Sequence, residues 1–137
     1  MKISIIAASH RPDSQSKRIS HYLKSNLNKL DKTINLFTLD LGENVLPLWT
    51  PDKKKGEGVW KNSWYSISDN LKTSDGFILV VPEYGGMATP AAKNIFLLSD
   101  NGEFAHKPGL IVSVSSGNGG AYPIAELRSS SYKNTHL

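Results

Sequence analysis

Residues 2–8, 76–81 and 110–115 form three short runs of aliphatic and β-branched residues, each passing directly into a loop of small, polar or glycine residues. The runs are nearly continuous rather than alternating, which is the pattern of strands buried on both faces of a parallel sheet. Amphipathic stretches of helical period lie between them. That rhythm restricts the chain to β-α-β units, and right-handed crossovers place helices on both faces of the sheet. The predicted class is therefore α/β, a three-layer sandwich around a parallel sheet.

The remaining segments fit this frame. A helix is predicted over 16–30, with an apolar stripe of Ile19, Tyr22, Leu23, Leu27 and Leu30 at spacings of three and four. A weaker strand covers 34–39, and 42–58 reads as irregular, punctuated by Pro47, Pro51, Gly56 and Gly58. A helix over 60–71 carries Trp60, Trp64, Ile67 and Leu71 on one side, a stripe that reads as core or subunit contact. The strand over 76–81 is expected to stop at Pro82. Pro90 suits the first position of a helix reaching Leu98, and a last helix is predicted over 122–130. Four strands and four helices in 137 residues, with no repeat and no linker, make one domain.

Composition narrows the chemistry. There is no cysteine, which removes disulfides, thiolate metal sites and cysteine catalysis. The four histidines lack metal-ligand spacing, so no metal site is expected. The charge of +4 is mildly basic, and its only dense run, Lys53-Lys54-Lys55, reads as a solvated loop rather than a nucleic-acid patch. No apolar run approaches a membrane span, and the patch after Met1-Lys2 is too short for a signal peptide. The expected setting is the cytoplasm.

In an open parallel sheet, ligands sit beyond the carboxyl ends of the strands, where the strand order reverses. The loop Ser9-His10-Arg11-Pro12-Asp13-Ser14-Gln15-Ser16 offers hydroxyls, a guanidinium and the start of a helix, the means by which proteins hold a phosphate. It has neither a dinucleotide fingerprint nor a P-loop. By itself, a Ser-rich turn before a helix reads first as capping. In Pro82-Glu83-Tyr84-Gly85-Gly86 the glycines let backbone approach a flat ring, or simply make a tight turn. Ser115-Ser116-Gly117-Asn118-Gly119-Gly120 is again permissive backbone beside small donors. Ser14-Gln15-Ser16-Lys17 fits S-x-x-K, but K-T-G is missing, which argues against a penicillin-binding serine enzyme.

Taken together, the three loops resemble the NADPH-dependent FMN reductase family, which includes azoreductase-like and chromate- or quinone-reducing members. The family pattern G-S-x-R-x-x-S-x-[NS] is followed by Ala8 to Ser16, with Ala for Gly. P-E-Y-N-x-x-x-[PT]-x-x-x-K-N is followed by Pro82-Glu83-Tyr84 and Lys93-Asn94, with Gly85 for Asn. S-x-G-x-x-G-G-x-x-x-x-x-x-L-R is matched in most respects by Ser115 to Gly120 and Leu127-Arg128.

The resemblance implies a flavodoxin-like fold, bound FMN and NADPH or NADH as co-substrate. Ser9, Arg11, Ser14, Gln15 and Ser16 would surround the FMN phosphate. Pro82, Glu83, Tyr84 and Gly85 would line the isoalloxazine, and Ser116, Gly117 and Gly119 would close its other side. No side chain is expected to be catalytic, because the cofactor carries the redox step. The implied activity is an NAD(P)H-dependent flavin or quinone reductase with a small-molecule acceptor, working as a homodimer or homotetramer. A non-enzymatic flavodoxin-like electron carrier is the alternative. Family members continue with a fifth strand and a covering helix, so residues 1–137 read as a single FMN-binding domain truncated at its C-terminus, its fourth strand left as an edge.

Overall fold

The structure, a computed structural model, describes residues 1–55, 57–117 and 119–130. In chain order the elements are β1 (Lys2–Ala7), α1 (Gln15–Leu30), β2 (Asn35–Asp40), a 3-10 turn (Pro51–Lys55), α2 (Val59–Ser63), α3 (Tyr65–Lys72), β3 (Gly76–Tyr84), β4 (Met87–Ala88), α4 (Pro90–Leu98), β5 (Gly109–Val114) and α5 (Ala121–Arg128). β2, β1, β3 and β5 lie side by side in that order and run parallel. Order reverses at β1, which sits between β2 and β3 although it comes first in the chain. The carboxyl ends of β1, β3 and β5 are therefore neighbours, and the three loops leave from them.

Alternation along the strands divides the core. Ile5, Ile78 and Val80 face one side, where Ile19, Leu23 and Leu27 of α1 cover them. Ile6, Leu79 and Val81 face the other, beneath Trp60, Trp64, Ile67, Leu71, Ile95, Leu98 and Leu127 from the remaining helices. Helices thus cover both faces, as expected of this class. The α1 stripe is narrower than predicted: Tyr22 is 67% and Leu30 81% exposed. Residues 19, 23 and 27 follow one line of four-residue steps down the buried face, whereas Tyr22 falls on its outer flank and Leu30 on the final turn.

Pro82 does not stop β3, which runs two residues beyond it. The N–H of Phe77 bonds Pro108 on the β5 side, while the carbonyl of Val80 accepts from Ala8 on the β1 side. By alternation, the ring nitrogen of Pro82 faces the β1 side, past the last residue of β1, so the missing N–H costs no ladder bond. The two-residue strand β4, absent from the sequence reading, folds back on Glu83 and Tyr84. The helix predicted over 60–71 is present as two segments hinged at Trp64, whose φ of −102° departs from helical geometry. Both hydrogen bonds through Trp64 survive the hinge, from its N–H to Trp60 and from Ser68 to its carbonyl.

Lys53 corrects the solvated-loop reading of the lysine run. Its side chain is 7% exposed and its ammonium donates to the carbonyl of Leu98 and to Asp100, over the ring of Trp64. It closes the C-terminal end of α4, where unpaired carbonyls favour a cation. Among the described residues β5 pairs with β3. Among these residues no helix is long and apolar enough to cross a membrane.

Candidate cofactor site

The first and second loops are joined at their roots. Ser9, fully buried, shares a 2.9 Å hydrogen bond with the hydroxyl of Tyr84 and accepts a 3.1 Å bond from the N–H of Arg11. The ring of His10 meets Tyr84 edge-on at 5.3 Å between centroids. Thr89 adds a second tie, donating its hydroxyl to the carbonyl of Ala8 while capping α4 through the N–H of Ala92. The loop after β1 and the hairpin after β3 thus form one continuous rim.

The serines of the first loop have three different fates. Ser9 is the clip just described. Ser14 is the N-cap of α1, accepting from Lys17 N–H at 3.1 Å, which confirms the capping reading of that hydroxyl. Ser16 stands two residues into α1 with its side chain fully buried and its Oγ without a hydrogen-bond partner. A buried unmet hydroxyl costs about 1–3 kcal/mol; Ser20, one turn further along α1, carries another, and Ser16 is the one that stands at the positive end of this sixteen-residue helix, where an anion is favoured. Arg11 is exposed in the loop before the helix, Gln15 is exposed with its side-chain carbonyl held by Arg18 at 2.7 Å, and Asp13 has the left-handed φ of 51° that lets the loop double back into the cap. Lys17 is turned away to Glu43, a hydrogen bond that raises its pKa.

In the second loop, Gly85 and Gly86 take φ of 59° and 74°, the pair of positive angles of a two-residue hairpin turn. The tight-turn reading of these glycines is therefore correct. Gly in place of Asn at position 85 also keeps the backbone, since Asn-Gly is a favoured pair for the same turn. Pro82 is buried, and Glu83 and Tyr84 are half-buried, with one carboxylate oxygen of Glu83 unpartnered.

The third loop follows β5 beside the end of β3, since Ser113 and Val114 pair with Val81 and Pro82. Ser116, Gly117 and Gly119 are exposed, and a short bond from Gly119 N–H to the carbonyl of Gly117 curls the loop. Asn118 lies outside the described residues. Gly120, which sequence reasoning did not single out, is the constrained glycine here. Its φ is 70°, and a methyl on it would sit 2.2 Å from the Oγ of Ser113. Three glycines within four residues hid which of them mattered.

Two more residues were missed. Glu126 of α5 accepts from the N–H of Ala88 at 2.7 Å and pairs with Lys93 of α4, which holds its carboxyl below the usual range. Asn94 is buried and binds the N–H of Trp49 and the carbonyl of Pro47, pinning the segment after β2 on α4. Their only sequence signal was the Lys93-Asn94 pair, to which no role could be given.

The residues fit a phosphate-bearing planar ligand. An unmet hydroxyl stands at a helix start, an exposed Arg lies in the loop before it, the second loop is bonded to that loop through Tyr84 and Ser9, and the third leaves β5 beside the end of β3. Comparison with known proteins agrees. The family model described as NADPH-dependent FMN reductase matches residues 1–134. The FMN-dependent NADPH-azoreductase of Staphylococcus saprophyticus is 27% identical over 131 residues, 93% of this chain and 68% of the relative. Among solved structures, the flavoenzyme NAD(P)H:(acceptor) oxidoreductase of Paracoccus denitrificans superposes with a TM-score of 0.73 at 23% identity, covering 93% of this chain and 69% of its own. An oxidoreductase of Corynebacterium diphtheriae gives 0.73 at 15% identity, covering 99% and 75%.

Proposed function

The chain belongs to the NADPH-dependent FMN reductase family, and from that premise we propose that it carries electrons from NADPH or NADH to a small organic acceptor, a quinone or a second flavin. It is a flavin-dependent oxidoreductase with FMN as cofactor and a nicotinamide nucleotide as donor. The observation that carries the site assignment is the buried, unpartnered hydroxyl of Ser16 at the start of α1.

On this reading Ser16, Arg11, Ser14 and Gln15 hold the phosphate, with the first N–H groups of α1 as further donors. Ser9 acts indirectly, by fixing Tyr84. Pro82 to Gly85 line one side of the ring, and Ser116, Gly117 and Gly119 the other. FMN held there would supply the redox chemistry, accepting a hydride from the nicotinamide and giving electrons to the acceptor. The protein's part is to hold the ring by backbone dipoles aimed where charge develops, so no side-chain acid or base is assigned. A cytoplasmic setting, a single FMN-binding unit over residues 1–137 and an assembly of two or four copies belong to the same proposal.

The test is anaerobic mixing of FMN-loaded protein with NADPH and with NADH. Bleaching of the flavin absorbance by either nucleotide supports the reductase. Tight FMN binding without bleaching by either would replace it with the electron carrier.

A further inference from the structure

The hairpin that would face the flavin ring is held by a residue outside all three loops. With Gly85-Gly86 as a two-residue turn, Tyr84 and Met87 form the hydrogen-bonded pair that closes it. The next pair, Glu83 and Ala88, is then the non-bonded kind, and the N–H of Ala88 points away from β3. Its partner is the carboxylate of Glu126, in the last turn of α5, at 2.7 Å. The other oxygen of that carboxylate takes the ammonium of Lys93 from α4. Tyr122, in the first turn of α5, lies near the turn itself: a methyl at Gly86 would come 4.0 Å from its ring.

We propose that Glu126 is a positioning residue for the flavin: acting through Ala88, and oriented by Lys93, it sets the separation between the ring-facing hairpin and the third loop, from which α5 departs. The inference rests on the flavin reading of these loops and deepens it. Two observations beyond the contact itself favour it. The hairpin's remaining connections, Tyr84 to Ser9 and Thr89 to Ala8, all run toward β1. The bond to Glu126 runs the other way, toward α5, on the side where the third loop stands. The tie also joins three elements through one carboxylate, so its loss removes a link from the hairpin to α5 and, through Lys93, a link between α5 and α4.

The experiment compares wild type, Glu126→Gln and Glu126→Ala by amide hydrogen exchange of the cofactor-free protein and by FMN titration. The glutamine carbonyl still accepts from Ala88, so Glu126→Gln should keep Ala88 protected and FMN affinity within about threefold of wild type. Glu126→Ala should speed exchange at Ala88 and weaken FMN binding at least about tenfold, with the amides of α1 unchanged. Thermal melting of each variant shows whether the alanine protein is folded, and the glutamine rescue decides the matter if it is not. Wild-type affinity in a folded Glu126→Ala protein, or a glutamine variant as weak as alanine, would overturn the proposal. Were wild type itself to take up no FMN, the flavin reading would fall, and the exchange at Ala88 alone would then decide whether Glu126 holds the hairpin.

Discussion

The serines of the first loop show how residue type and residue role come apart. Ser9, Ser14 and Ser16 look alike in the sequence, yet one clips two loops together, one caps a helix and one is left unmet. The sequence made their proximity to a helix start legible; which hydroxyl lacked a partner depended on burial and on distant Tyr84. The distinction gives opposed expectations for the same substitution. Ser16→Ala removes a buried hydroxyl that bonds nothing, so the cofactor-free protein should melt no lower than wild type. FMN binding should weaken about tenfold, as one hydrogen bond to a charged group is worth roughly 1.5 kcal/mol or more. Ser9→Ala, by contrast, should lower the melting temperature, because Tyr84 and Arg11 N–H both lose a buried partner. Equal effects of the two substitutions on stability would contradict these assignments.

Among the elements, the parallel strands and the helices between them could be read from apolar runs and helical spacing, because each carries its own periodic signal. What escaped depended on tertiary neighbours. Pro82 is tolerated in β3 because β1 has already ended beside it, a fact of register that no local rule holds. Lys53 is buried because the last carbonyls of α4 arrive above it from far along the chain. The glycines of the turns were legible as turns, but not which of them were indispensable. Gly85 has an open surrounding and a positive φ, so Gly85→Asn should be nearly neutral, whereas Gly85→Val should cost roughly 1–2 kcal/mol for a branched residue held in the left-handed region. At Gly120 both the φ and the space forbid a side chain. Gly120→Ala should therefore destabilise by more than the roughly 1 kcal/mol of backbone strain alone, and Ser113→Gly should recover only the steric part. Chemical denaturation of the four proteins measures all of this, and a stable Gly120→Ala would show that the third loop is not seated on β5.

Across the whole molecule, carboxylate ties outside the sheet hold together what the strands alone leave independent. Glu43 joins the segment after β2 to α1 through Lys17, and Glu126 joins β4, α4 and α5. Glu43 is held below its ordinary pKa chiefly by the hydrogen bond from Lys17. Glu126 is held down first by the bond from Lys93 and then by the N–H of Ala88. A carboxyl with a depressed folded pKa binds its proton more readily once unfolded, so it adds stability above its unfolded value and loses that contribution as pH falls through the folded one. The unfolded value is near 4.5, so both contributions are whole at neutral pH and disappear on the acid side of that value. Lys17, raised by Glu43, imposes no loss until pH climbs through its own raised pKa, above 10.5. The melting temperature should therefore be level across the neutral range and fall below about pH 4.5. Glu126→Gln should remove part of that acid fall while leaving the neutral plateau slightly lower. The groups are largely at the surface, so added salt should shrink the difference between the two proteins. Acid limbs that superimpose at low salt would mean that Glu126 titrates in the folded protein as it does in the unfolded chain, and that Lys93 and Ala88 do not hold its carboxylate in solution.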